Sequence, residues 1–288
     1  MSKSLVLKPE VRRKAALLGD PAIRRRPLAG LALRKRLSGL QRLISPIILL
    51  ILWEIASRVG WIPEHIIAAP STIGQSFQEM VSSGELIQNL WVSLGRVAQG
   101  LAISISIGTT FALIAGLSKI GELIVDPPLQ MLHVLPFVAL VPLFILWFGI
   151  GETPKIALIA WGTIFPLYLN LYNGIRGIDP KLIEAGISLG LTRIELIRHV
   201  ILPAALPSFL VGLRYALGIG WVSLVVVEQI NATAGIGYLV NSARDFLRTD
   251  IIVVCLLVYT ILGLSTDYLV RLIERFALVW RPSFIQRG

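Results

Sequence analysis

Apolar residues along this chain come in long runs separated by short polar punctuation, and the run lengths decide the fold class. A helix crossing hydrocarbon needs about 20 residues at ~1.5 Å rise each. Lipid cannot satisfy exposed backbone groups, so a helix is the expected solution. Uncharged runs of that size stand at residues 97–117, 127–151 and 156–175. Three further runs are shorter or carry a charge: one from Leu43 interrupted by Glu54, one from Leu206 interrupted by Arg214, and one from Ile251 flanked by Asp250 and Asp267. The pattern predicts an all-α integral membrane protein of six transmembrane helices. Between the first two spans, "APST" offers a helix start at Ser71 or Thr72, and the amphipathic "FQEMVSSGELIQNLW" predicts a helix lying along the membrane surface.

Composition agrees with that class. Of 288 residues, 55% are hydrophobic and 15% charged, with a mean hydropathy of +0.76. Charge then sets the orientation, because Lys and Arg collect in short cytoplasmic segments. Twelve of the 27 lie in residues 1–42, a basic tail expected to be cytoplasmic and to touch anionic lipid. With six alternating spans the basic residues split 21 inside against 3 outside, which predicts that both termini are cytoplasmic. The net charge of +10 therefore implies no nucleic-acid partner. The first apolar run starts beyond residue 40 and no small-residue cleavage site follows it, so no cleaved signal peptide is expected. One integral domain is expected over residues 43–281, with a short tail at 282–288 and no internal repeat.

Several chemistries drop out. A single cysteine, Cys255, excludes an intrachain disulfide, and three scattered histidines provide no metal-ligand spacing. There is no phosphate-binding glycine loop, so any use of ATP falls to another chain. No nucleophile–base set stands at membrane depth, and no catalytic residues are expected. A secondary transporter would want intramembrane carboxylates and a repeated half, which the chain lacks.

The loop of about 176–202 is the polar segment with the most built-in order. Asp179 is a helix cap and Pro180 suits the first helical position. Gly190 suits a left-handed stop, and Thr192 with Glu195 spells a capping box for a second short helix. Leu182, Ile183, Ala185, Gly186 and Leu189 cannot all face water on so short an element. Two capped helices make a rigid protrusion.

These residues resemble the loop signature of ABC import permeases, E-A-A-x-x-x-G followed by nine residues and I-x-L-P. Here it stands as Glu184, Ala185, Gly186, Gly190, Val200, Leu202 and Pro203, with Gly186 and Val200 departing from the pattern. "SLGRVAQG", "VPLFILWFGIG", "HVILPAALPSFLVGLRYALGIGW" and "GIGYLVNSARDFLRTD" extend the resemblance over most of residues 43–281, to the nitrate, sulfonate and taurine branch and most of all to aliphatic-sulfonate permeases. The resemblance implies a homodimer in a bacterial inner membrane, two ATP-binding cassette subunits that hold ATP and Mg, and an extracytoplasmic solute-binding protein delivering a small anion. It also implies that the first short helix docks on the ATPase, through Asp179, Pro180, Lys181, Glu184, Ala185, Gly186 and Gly190.

Pathway candidates are fewer. Arg214 inside a span is either a cation facing the solute or the partner of a carboxylate. Arg96 and Glu228, near the outer ends of their spans, are expected at an interface or docking surface. His133 is expected as a satisfied core histidine rather than a pore-lining donor.

Overall fold

The computed structural model describes residues 44–280, in two compact units that divide between residues 59 and 60. The basic tail of residues 1–42 and the tail of 282–288 lie outside the described residues. In the first unit, residues 44–58 form helix α1, and Arg58 Nε donates to Glu54 Oε1 one turn earlier at 2.6 Å. The charge that interrupts the first apolar run is thus paired within its own helix.

The second unit is helical throughout, without a strand among the described residues. Its elements are α2 (Pro70–Ser82), α3 (Glu85–Leu117), α4 (Lys119–His133), α5 (Phe137–Phe148), α6 (Glu152–Arg176), α7 (Pro180–Ser188), α8 (Arg193–Leu196), a π-turn (Ile197–Ile201), α9 (Leu202–Glu228), α10 (Ile236–Asp245) and α11 (Thr249–Ala277). Four stretches are long and apolar enough to cross a membrane: α3, α6, the continuous 36-residue run Arg193–Glu228, and α11.

The run expected to cross at 127–151 is instead broken. Helices α4 and α5 meet at 105°. Pro136 supplies the reason: it stands just before α5 with extended backbone, has no N–H to continue α4, and biases Leu135 away from helix. The expected surface helix is also divided. Gly84, at φ +78°, separates α2 from α3, so "ELIQNLW" begins a span while "FQEMVS" closes α2. Helix α2 starts at Pro70, one residue earlier than the serine expected to cap it, and Ala69 provides no side-chain cap. Its Ser76 Oγ donates to buried Asp250 Oδ2 at 2.6 Å, anchoring α2 on α11.

Helix α6 is the axis of the unit, packed against both α3 and α9. The reason is a stripe of small residues on each neighbour. Gly100, Ser104, Gly108, Ala112 and Gly116 recur every four positions along α3, and all are buried. Gly212, Ala216 and Gly220 do the same on α9. A Cβ on Gly100 would stand 2.6 Å from Ile159 Cγ2, and one on Gly212 would stand 2.9 Å from Asn170 Cβ. Close backbone approach through small residues is how apolar helices gain van der Waals contact where lipid removes the hydrophobic drive. Leu158, Ile159, Leu167 and Leu224 fill the core beside these stripes.

Candidate functional site

Two polar constructions sit at opposite ends of α6. At its C-terminal end is the knob made by α7 and α8. Asp179 Oδ1 accepts from the Lys181 N–H at 3.0 Å, and Pro180 takes the first helical position. Helix α7 ends in a Schellman motif: Leu191 N–H donates to Gly186 O at 3.1 Å and Gly190 N–H to Ile187 O at 2.9 Å, with Gly190 at φ +80°. Thr192 and Glu195 form the expected capping box. Next comes the π-turn, one residue short of Pro203, whose missing N–H cannot serve the carbonyl of His199. The second short helix therefore runs on into α9 as one rod, roughly 54 Å long at ~1.5 Å per residue.

All seven residues expected to dock fall on this knob. Asp179, Pro180, Lys181, Glu184, Ala185 and Gly190 are exposed, and Gly186 is buried. Gly186, the departure from the signature, has a local cause: a Cβ there would stand 2.6 Å from Leu196 Cδ1, so the glycine lets α8 close on α7. As expected, the apolar residues of this element do not all face water. Gly186 is buried and Ile183 half-buried, but Leu182, Ile187 and Ile194 are exposed, and Leu189 is 82% exposed. A cluster of large side chains uncovered on a rigid element is the mark of an interaction surface.

At the other end, α3, α6, α9, α10 and α11 converge on a buried ionic cluster. Arg96 on α3 is 3% exposed. Its Nη1 donates to Glu228 Oε1 at 2.6 Å and to Ala234 O at 2.7 Å, while Nε and Nη2 grip Glu152 Oε2 and Oε1 at 2.5 and 2.7 Å. Lys155 Nζ also donates to Glu152 Oε1, at 2.9 Å. Glu228 accepts from Ser93 Oγ, from the Gly237 N–H at 2.9 Å and from the Tyr259 hydroxyl at 3.3 Å. The first turn of α10 is capped by this cluster: Gly235 N–H donates to Asn89 Oδ1 at 2.7 Å and Ile236 N–H to Ser93 Oγ at 2.9 Å. Gly235 is required there, since a Cβ would meet Glu228 Oε1 at 2.4 Å and Arg96 Nη1 at 2.6 Å, on a backbone at φ +114°.

Arg96 and Glu228 are thus interior partners, not the surface residues expected. Sequence reasoning missed Glu152, Lys155, Ser93, Asn89 and Tyr259. Only Glu152 carried a local signal, as an acid opening a helix after the glycines of "FGIGE".

Arg214 resolves toward the carboxylate alternative: its Nε pairs with Asp267 on α11, which also accepts from Arg271 Nε at 2.9 Å. The pair lines a cavity of about 610 Å³ between α9 and α11, with Tyr215 and Glu274. His133 is exposed at the end of α4, its ring edge-to-face with Phe165 at 5.5 Å, and so is not the core histidine expected. Neither residue joins the buried cluster.

Residues 104–278, from mid-α3 through the knob to the end of α11, match the family described as the binding-protein-dependent transport system inner membrane component. The chain belongs to this family. It is 46% identical over 239 residues to the aliphatic sulfonates transport permease protein SsuC of Escherichia coli (strain K12), covering 83% of this chain and 91% of that protein. The SsuC protein of Bacillus subtilis (strain 168) is 41% identical over 251 residues, covering 87% and 91%. The fold is shared with the crystal structure of an amino acid ABC transporter with histidines, at a TM-score of 0.57 and 21% identity over 69% of this chain and 97% of that one. As an ABC importer permease the chain is not itself an enzyme. The matched segment contains the knob and most of the buried cluster, while Asn89, Ser93 and Arg96 precede it.

Proposed function

We propose that this chain moves an aliphatic sulfonate across a bacterial inner membrane by alternating access. It works as a homodimer with two ATP-binding cassette subunits that hold ATP and Mg, and it receives solute from a soluble binding protein outside. The knob lies on the cytoplasmic side with both termini, where the basic residues gather, and the ionic cluster lies on the outer side. Residues 1–42 are a lipid-touching tail, and 43–281 form the permease domain.

One observation carries this reading: the run Arg193–Glu228 is continuous from the knob to the buried cluster. A capped, rigid knob with exposed Leu182, Ile187, Leu189 and Ile194 offers a partner an apolar grip, with Lys181 and Glu184 for charge. Force applied there travels along one continuous helical run. The solute class rests on the likeness to sulfonate permeases, and the coupling role of Asp179, Pro180, Lys181, Glu184, Ala185, Gly186 and Gly190 on their place on the knob.

The test is ATP-driven uptake by the complete complex in vesicles, with labelled sulfonate, taurine and nitrate compared side by side. Glu184→Lys and Gly190→Pro are expected to leave the permease in the membrane while separating hydrolysis from uptake. Normal uptake by both variants overturns the docking role, and uptake by this chain without an ATPase overturns the function.

A further inference from the structure

The buried cluster holds two carboxylates on one guanidinium, and they are not equivalent. Glu228 has no exposed side-chain surface, and Arg96, Ser93, Gly237 and Tyr259 all donate to it. Displacing it would break all of those hydrogen bonds at once. Glu152 differs in both respects. Its side chain is 53% exposed, and Arg96 and Lys155 are the groups that hold it. Those two cations are themselves interior, with side-chain exposures of 3% and 7%. Two buried positive charges therefore meet water through one half-exposed carboxylate.

Charge counting makes that carboxylate a ligand in all but attachment. Arg96 and Lys155 contribute two positive charges and Glu228 one negative, so removing Glu152 leaves one buried positive charge without a partner. An uncompensated interior charge is strongly disfavoured, and the site then requires an anion. The donor geometry specifies which kind. Nε and Nη2 of Arg96 form a fork on two oxygens at 2.5 and 2.7 Å, and Lys155 Nζ approaches from a second helical turn at 2.9 Å. A fork of this type binds carboxylates and tetrahedral oxyanions alike, and a sulfonate offers two oxygens to the fork and a third to the lysine. Glu152 also opens α6 just after Gly149 at φ +78° and Gly151 at φ +155°, so its carboxylate can swing while the buried cations stay in place.

We propose that Arg96 and Lys155 form a binding site for the sulfonate head group of the solute, in which Glu152 is the resident counter-ion that the solute displaces. The substrate class and the outward position of the site rest on the function proposed above. On exchange the solute, held by Arg96 of α3 and Lys155 of α6, takes over the link that Glu152 makes between those helices, while Glu228 keeps α3, α9 and α10 joined.

The test is calorimetric titration of the full-length chain in lipid nanodiscs at fixed ionic strength, with methanesulfonate as probe and dimethyl sulfone as its neutral counterpart. Glu152→Gln removes the competing charge and is expected to tighten methanesulfonate binding about tenfold, with no binding of the sulfone. Adding Lys155→Met to that variant is expected to abolish the gain. Unchanged or weaker binding by Glu152→Gln overturns the proposal, as does a gain that survives Lys155→Met or extends to the sulfone. Should Glu152→Gln fail to fold, Glu152→Asp, which retracts the carboxylate by one methylene, decides: a smaller tightening supports the site and none overturns it. Sulfonate uptake by the ATPase-supplied complex without tightening in these variants sinks the site and leaves the function. Tightening without ATP-driven uptake does the reverse.

Discussion

Helices α7 and α10 are nearly the same length, nine and ten residues, and each begins with an organised set of backbone N–H groups. They finish those groups in opposite ways. Helix α7 caps itself with Asp179, one residue before its start, and closes with its own Schellman turn. Helix α10 has no cap of its own at Gly235, and takes Asn89, Ser93 and Glu228 from α3 and α9. The first helix can keep its shape while standing exposed on a knob. The second is ordered only while the helices around it are in register, so any change at that end of the bundle reaches it directly. A self-sufficient element suits transmission of force, and a dependent one suits response to it.

The sharpest way to break the contrast is Glu228→Ala. Truncating one partner of a buried ion pair leaves the other charge stranded, at about 3–5 kcal/mol. Thermal unfolding of the purified chain should show a large fall in midpoint, and limited proteolysis should cut first between residues 229 and 248 while the knob stays protected. Equal protection of both segments would mean that α10 does not depend on the cluster. Gly235→Ala should come next, because its Cβ must displace Glu228 Oε1 and Arg96 Nη1 in a strained backbone, at roughly 1–3 kcal/mol. Thr192→Ala removes a local cap at about 1 kcal/mol, and hydrogen exchange should rise at residues 193–196 but not in α10. A Thr192 variant that loosened α10 would show that the knob and the far end melt together. Gly186→Ala should change stability least, by less than about 1 kcal/mol, because better helix propensity offsets the push on Leu196 Cδ1. A large loss there would mean that the packing of α8 on α7, rather than the caps, holds the knob.

The same contrast governs how much was legible in the chain. The knob was readable to the residue, since Asp179 reaches the N–H two positions on and Thr192 exchanges hydrogen bonds with Glu195 three positions on. Apolar run length likewise marked α3, α6, α9 and α11. What it missed was the break at Pro136, where uninterrupted hydrophobicity concealed the loss of a backbone donor. Nor does local pattern show which apolar residues of α7 stay uncovered, as Leu182 and Leu189 do.

By itself, then, the sequence determined an integral helical bundle, the asymmetry of its basic residues and the caps of its knob, because hydropathy and capping act over a single segment. Tertiary structure alone decided that Arg96 meets Glu152 and Glu228, 56 and 132 positions away, and that Arg96 and Glu228 are buried. An isolated arginine or glutamate near the end of an apolar run reads as a surface charge. Only the close approach of α3, α6 and α9 through their small residues supplies the opposite charges that make it an interior one.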